Sequence, residues 1–268
     1  MDVTGASLAV EAICRRELLR FLHQRERFFS ALVRPLVWLV ALAIGFSDIV
    51  TLPISAPYQT YIPYEVYVLP GLVAMIQLFN GMQSSLSMVY DREMGTMRIL
   101  LTAPWPRELL LASKLLAGTL VSIAQVYAFL AIAALVGIRL PTLGYLALLP
   151  ALVLTGLMFG AIGMLLSSKI RQLENFAGIM NFVIFPAFFF SSALYPLWKI
   201  ASASTIFYII CLLNPFTYAV ELIRYTAYLD MSWTMLSLVL AVFLLVFAAA
   251  VRGYDPARGI QSRVRGGA

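Results

Sequence analysis

Serine is the potential nucleophile that clusters most tightly in the apolar part of this chain, at Ser84, Ser85 and Ser87. A serine attacks a substrate only when a base removes its proton. The surrounding apolar stretches hold no histidine, and no Asp or Glu lies near their centres. Cys and His nowhere have metal-ligand spacing, and no G-x-x-x-x-G-K-[ST] loop is present to bind nucleotide phosphates. The sequence therefore predicts no catalytic, metal or ATP site, and an intramembrane enzyme is the least favoured class.

Polar side chains inside the apolar stretches recur at helical spacing and so share helix faces. A polar face at membrane depth must be buried against protein or water. Two interpretations stay open, hydrogen bonds between helices of one bundle or the lining of a translocation route or subunit interface. The two faces consist of Gln77, Asn80, Ser84 and Ser87, and of Glu174, Gly178 and Asn181.

Aromatic residues mark two further places. Phe188 and Phe189 follow Pro186 and either close a pathway by dewetting or pack against lipid. Tyrosines recur every third residue from Tyr58 to Tyr67, a pattern typical of an aromatic belt at the membrane interface or of a stacking surface for an amphipathic substrate. The small residues from Gly156 to Ser167 indicate close helix packing.

The composition indicates which kind of structure holds these side chains in place. The 268 residues are 62% hydrophobic and only 12% charged, too little charge to coat a soluble globule. Apolar runs of about 20 residues are long enough to cross a bilayer as helices. We predict an all-α integral membrane protein with six spans and one membrane domain over 29–268. The spans are about 29–46, 66–89, 109–136, 143–166, 175–194 and 235–251.

Charge predicts the orientation of these spans. All but three of the 19 Lys and Arg residues fall on one face, the exceptions being Arg139, Lys199 and Arg224. The positive-inside rule places the crowded face, with both termini, in the cytoplasm. Residues 1–28 form a separate cytoplasmic segment, where apolar residues at helical spacing predict an amphipathic helix lying on the membrane surface.

The stretch from 200 to 228 is predicted to enter the outer side of the membrane and turn back. Its apolar run is too short to span and is stopped by Asn214 and Pro215. A seventh span here would place the basic C-terminus outside. We therefore expect two outer helices, about 200–212 and 216–228, with Glu221 and Arg224 three residues apart and able to pair.

Several short motifs are spread along the whole chain. They are Leu69-Pro70-Gly71-Leu72, Asp91-Arg92-Glu93-x-Gly95-Thr96, Leu100-Leu101-Thr102-Ala103-Pro104, Lys114, and Leu213-Asn214-Pro215-Phe216-Thr217-Tyr218. Together with the six-span plan, this combination resembles the ABC-2-type transport permeases, the membrane subunits of drug, Nod-factor and polysaccharide exporters. The resemblance implies a homodimer joined to two copies of a separately encoded ATP-binding subunit. ATP and Mg would be bound by that partner, and this chain itself would carry no cofactor.

In that family the loop after the second span is a coupling helix docked on the ATPase. Carried onto this chain, the coupling residues are Arg92, Glu93, Gly95, Met97, Arg98, Leu100 and Leu101. The prolines behind them, Pro104 and Pro106, would stiffen the connection to the third span. An amphipathic loop helix resting on lipid is the alternative interpretation.

The pathway or dimer-interface residues expected from these patterns are Gln77, Asn80, Ser84, Asn181, Phe188 and Phe189. Because unpaired charge at membrane depth is costly, the sequence favours a hydrophobic or amphipathic cargo, such as a drug, a lipid or a lipid-linked glycan. The expected partners also include membrane lipid but no nucleic acid, and the expected location is the bacterial inner membrane. The alternative function is a channel or gradient-driven transporter without an ATPase.

Overall fold

The structure, a computed structural model, describes Arg15, Leu19 and residues 25–46, 56–93, 106–170 and 172–254. Within this part the chain is helical and contains no strand. Its helices are α1 (Arg25–Phe46), α2 (Tyr64–Glu93), α3 (Arg107–Leu135), α4 (Gly144–Lys169), α5 (Leu173–Phe189), α6 (Leu197–Ala203), α7 (Thr205–Leu213), α8 (Pro215–Ala227) and α9 (Trp233–Gly253).

Four of these helices, α2, α3, α4 and α9, are each long and apolar enough to cross a membrane. A fifth crossing results if α7 and α8, which meet at an angle of 79°, are counted as one broken span. The apolar part of α1, Leu32–Gly45, and all of α5 are shorter. Helices thus occupy all six predicted positions, while the six-span count and the side of the termini stay predictions.

The outer region differs in detail from the sequence-based expectation. Helix α5 ends at Phe189, whereas the fifth span was expected to continue to 194. The expected first outer helix is divided into α6 and α7, because Ser204 interrupts it and caps α7 by accepting a hydrogen bond from the Phe207 amide. The expected second outer helix corresponds to α8, with Pro215 at its first turn.

Helix α2 lies at the centre of the bundle and packs against α1, α3, α4, α5 and α8. Helices α2 and α4 cross closely because Gly81 of α2 faces the backbone of α4. A methyl group added at Gly81 would lie 2.7 Å from the carbonyl carbon of Phe159. One added at Gly163 would lie 2.6 Å from Ser85 Oγ. The predicted close packing of the small residues on α4 is therefore confirmed. Helix α9 lies at the edge and packs mainly along α4.

Candidate functional site

The polar face of α2 is bonded to neighbouring helices of the same chain at two positions. Gln77 is fully buried, donates through Nε2 to the Leu152 carbonyl at 2.7 Å and accepts through Oε1 from the Thr155 hydroxyl at 2.6 Å. Asn80 donates through Nδ2 to the side-chain oxygen of Gln125. These amides tie α2 to α3 and α4, which is the first of the two interpretations left open for this face.

The three serines that follow on α2 are bonded to their own helix. Ser84 and Ser85 donate to the Gly81 carbonyl at 3.0 and 2.9 Å, and Ser87 donates to the Ser84 carbonyl at 2.6 Å. A cavity of about 30 Å³ beside them is also lined by Lys114, a neighbour the sequence did not reveal. It has room for about one or two waters. The hydroxyl protons are directed at backbone carbonyls, an arrangement that does not prepare a nucleophile.

Helix α5 is covered on one face only. Phe176, Ile184 and Phe188 are fully buried, Phe188 in contact with Trp38 and Phe216, whereas Phe189 is partly exposed at the edge. The opposite face is open. It carries the predicted polar set Glu174, Gly178 and Asn181, together with Phe182 and Phe185.

The predicted pair of Glu221 and Arg224 forms, and both side chains are buried. The guanidinium carbon of Arg224 lies 4.1 Å from the centre of the Tyr67 ring. Its Nη2 donates to the Ser192 carbonyl at 2.9 Å, and the Tyr67 hydroxyl donates to the same carbonyl at 2.9 Å. Arg224 thereby joins α8, the N-terminal end of α2 and the turn that follows α5.

Three of the four regularly spaced tyrosines pack inward. Tyr58, Tyr64 and Tyr67 are buried, and Tyr61 alone of the four is exposed. Tyr64 donates to the Leu194 carbonyl at 2.9 Å. Burial raises the pKa of Tyr58 to about 12, so its phenol stays protonated. The structure thus corrects both sequence-based readings for these three: they form neither an exposed belt nor a stacking surface.

Asn214 holds the turn between α7 and α8. Its Nδ2 donates to the carbonyls of Ala187 and Phe190, both at 2.7 Å, where α5 ends. Its Oδ1 accepts from the Phe216 amide at 3.0 Å and so caps α8. Pro215 fits the first turn of α8, where a backbone N–H has no helical partner to lose. One side chain therefore joins the end of α5 to the start of α8.

An apolar cavity of about 300 Å³ opens between α2, α4, α5 and the α7 and α8 pair. Leu78, Phe159, Val183, Pro186 and Phe216 are among its lining residues. Asn214 also lines it, but both ends of that amide are engaged in the hydrogen bonds of the turn. The cavity therefore suits hydrocarbon rather than a polar molecule.

The described geometry is that of an apolar helical bundle with one sharply bent helix pair and one incompletely covered helix. The sequence model of the ABC-2 type transporter family matches residues 9–228, which is most of the chain and includes this entire arrangement up to α8. The chain belongs to this family. It is therefore a multi-pass membrane protein of the transport-permease type and not itself a catalytic enzyme.

Similar proteins from algae agree with the family assignment. A protein of Porphyra purpurea named "Putative transport permease ycf38" is 25% identical over 95% of this chain and 89% of its own length. The protein of the same name from Cyanophora paradoxa is 27% identical over 82% of this chain and 74% of its own length. That from Pyropia yezoensis is 24% identical over 87% of this chain and 78% of its own length.

The segment predicted to be the coupling helix of this ABC-2 family member is described only in part. Arg92 and Glu93 form the last turn of α2, without a description of their side chains. Gly95, Met97, Arg98, Leu100 and Leu101 lie outside the described residues, as does most of the predicted amphipathic helix over 1–28. Their roles stay predictions. Within the described part, no His, Cys, Asp and Glu side chains form a group that could hold a metal ion.

Sequence reasoning missed several residues of this ABC-2 bundle. Thr155 and Gln125 bond the polar face of α2. Thr155 is isolated among apolar residues in the middle of α4 and gives no pattern. Gln125, in contrast, follows Thr119 and Ser122 at a spacing of three, a signal that could have indicated this buried face of α3. Arg34 was assigned to the start of the first span, whereas its guanidinium carbon lies 3.9 Å from the centre of the Phe79 ring. The available signal was a charged residue within an apolar run.

Proposed function

We propose that this chain is the membrane subunit of an ATP-driven ABC exporter. Two copies of the chain pair with two copies of a separately encoded ATP-binding subunit, which holds ATP and Mg. The complex moves a hydrophobic or amphipathic substrate, such as a drug, a lipid or a lipid-linked glycan, across the bacterial inner membrane. Membership of the ABC-2 family supports the ATPase partner.

The observation that carries the pairing of two copies is the exposure of Asn181 at the middle of α5. Within the described part of the chain, the amide of Asn181 has no hydrogen-bond partner. An amide without a partner in hydrocarbon costs several kcal/mol. A second copy that places its own α5 against this face supplies a partner, because two symmetry-related asparagines can bond to each other.

The remainder of the open α5 face supports the class of cargo. Phe182 is 78% exposed, and Phe185 and Phe189 are exposed beside it. Between two paired copies these rings form an apolar wall, and the apolar cavity behind Pro186 lies on the other side of the same helix. Hydrocarbon parts of a substrate would be stabilised along both surfaces.

The proposed orientation places both termini and the segment between α2 and α3 in the cytoplasm. The distribution of Lys and Arg supports it. In this orientation, closure of the ATP-binding partner displaces residues 92–101. Helix α2 then transmits the movement to α5 at the centre of the dimer.

A cysteine at position 181 tests the pairing. In a chain with Cys14 and Cys211 replaced by serine, Asn181→Cys is expected to form a disulfide-linked dimer in membranes treated with a mild oxidant. The control is Leu245→Cys, which is 73% exposed on α9 and lies away from the proposed interface. A monomeric Asn181→Cys protein, or equal cross-linking of both variants, would contradict the pairing.

The ATPase partnership has a separate test. Replacing Met97 and Leu100 together by aspartate is expected to abolish co-purification of the ATP-binding subunit, because charge is placed at predicted apolar contacts. The matched control changes Leu143 and Leu146 to aspartate; both are exposed around the start of α4. Unchanged co-purification in the first variant would refute the coupling assignment. The absence of any ATP-binding partner would favour a channel or gradient-driven transporter.

A further inference from the structure

Arg34 places a positive charge on the exposed side of α1, next to α2. The Phe79 ring, over which its guanidinium lies, belongs to the membrane-capable stretch Tyr64–Tyr90 of α2. At a rise of about 1.5 Å per residue, Phe79 is about 16 Å from Tyr90 and about 22 Å from Tyr64 along the helix. The charge therefore lies beside the apolar part of α2, near the start of the apolar stretch Leu32–Gly45 of α1.

No carboxylate within the described part of the chain forms an ion pair with Arg34. The Phe79 ring covers one face of the guanidinium, and the arginine side chain is otherwise exposed. Its neighbours Val33 and Val37 are also exposed, 57% and 59%. A guanidinium keeps its charge and presents its N–H donors in the plane of the group. Those donors are therefore accessible to an anionic or strongly polar partner from outside the described chain.

The surroundings of Arg34 favour an anion with an apolar part. One helical turn further along α1, Trp38 contacts the aromatic end of α5, with ring centres 6.0 Å from Phe188 and 5.8 Å from Phe189. Side chains four residues apart share a helix face. A cation and an aromatic wall thus lie side by side along the same stretch of α1.

We infer that Arg34 and Trp38 form a binding site for an amphipathic anion, with the phosphate or carboxylate on the guanidinium and the hydrocarbon along the indole. Arginine binds both anions through paired hydrogen bonds. The site narrows the hydrophobic or amphipathic cargo expected from the sequence to one that also carries an anionic group; the scarcity of charge in the spans had disfavoured only a strongly ionic small substrate. The identification of the bound anion with the cargo rests on the proposed function, whereas the existence of the site does not.

Quenching of Trp38 fluorescence tests the site directly. Replacing Trp105, Trp198 and Trp233 by phenylalanine leaves Trp38 as the remaining tryptophan of the four. The full-length chain in neutral detergent is titrated with a bromoalkyl carboxylate and with the methyl ester of the same compound. Bromine quenches the indole when the chain lies beside it. We expect half-quenching at about tenfold lower concentration for the carboxylate than for the ester, a difference of about 1.4 kcal/mol.

Arg34→Gln is expected to remove this preference, and Arg34→Lys to retain part of it. The matched control, Arg139→Gln, removes an exposed arginine near the end of α3 and should leave the preference unchanged. Quenching by the ester serves as the folding check, since it should be equal in all variants. Equal quenching by acid and ester in the parent, or a preference that persists in Arg34→Gln, would overturn the site.

Two sources of the anion, a resident lipid and the cargo, are separated by a second measurement. In the complex with the ATP-binding subunit, ATP should release the bound carboxylate from Trp38 if the anion is cargo. Retention during ATP turnover would overturn the cargo assignment and identify a resident lipid. Failure of the proposed function itself is recognised independently, by the absence of an ATP-binding partner.

Discussion

Replacing Asn214 by aspartate separates the two roles of this side chain. Aspartate keeps the oxygen that accepts from the Phe216 amide, and aspartate is a favourable N-cap residue. It loses the two N–H donors to the carbonyls of Ala187 and Phe190 and places a carboxylate oxygen against them. We therefore expect α8 to keep its cap while the connection to α5 fails.

The free energy that Asn214→Asp is expected to cost can be estimated from these contacts. Each lost hydrogen bond contributes about 1 kcal/mol. The half-buried Ala187 carbonyl adds a desolvation cost, while the exposed Phe190 carbonyl finds water, so the total is about 2–3 kcal/mol. A local opening made easier by this amount is about 30- to 150-fold more populated, at about 1.4 kcal/mol per factor of ten.

Cys211 provides the assay, because it is fully buried next to this turn and its carbonyl accepts a hydrogen bond from Thr217 at 2.7 Å. In a Cys14→Ser background Cys211 is the remaining thiol of the chain. Its labelling by a membrane-permeant maleimide should accelerate in Asn214→Asp by about the calculated factor.

Asn214→Ala is the matched comparison, since it loses the cap as well as both donors. Cys211 in Asn214→Ala should be labelled at least as fast as Cys211 in Asn214→Asp, because the loss of the cap makes opening easier by about a further 1 kcal/mol. Slow labelling of Asn214→Asp beside fast labelling of Asn214→Ala would refute the reasoning, since that pattern belongs to a side chain that acts as an N-cap only.

Two further predictions concern helix packing and the buried ion pair. Gly81→Ala should lower the thermal unfolding midpoint in detergent, because its new methyl group would meet backbone atoms of Phe159 at 2.7 Å; the cost expected for overpacking is about 1–3 kcal/mol. The control is Gly45→Ala on α1, where a new methyl group meets nothing within 4 Å; it should not lower the midpoint, so equal midpoints in the two variants would contradict the close crossing. Arg224→Met leaves the Glu221 carboxylate buried without its partner, at a cost of about 3–5 kcal/mol. Adding Glu221→Leu should restore most of that loss, and a double variant as unstable as the single one would show that the carboxylate is not the cause.

The helices were largely predictable from the sequence because apolar runs of spanning length have few alternative structures in a membrane. The end of α5 was not predictable, because the mostly apolar residues up to Leu194 are compatible either with a longer helix or with a buried turn. The helix ends where the amide of Asn214, distant in sequence, binds its last carbonyls. Such a terminus depends on a contact between segments, which a single run of residues does not encode.

In the candidate site, too, residue spacing predicted which side chains share a face but not which residues they contact. The spacing of Gln77 and Asn80 predicted a shared polar face, but only the positions of Thr155 and Gln125 show that these amides bind within the chain. Asn181 has an equally regular spacing, yet its helix face is open. Periodicity identifies a face, and tertiary packing decides what the face contacts.

The bend between α7 and α8 has a consequence for the direction of the rest of the chain. If Asn214 and Pro215 allowed a straight helix over 205–227, it would be about 35 Å long and able to cross the bilayer by itself. Because the two helices instead meet at 79°, the chain can turn back towards the side from which it came. The turn then determines whether the chain crosses the membrane an even or an odd number of times. It therefore also determines on which side of the membrane α9 ends and Arg252 lies.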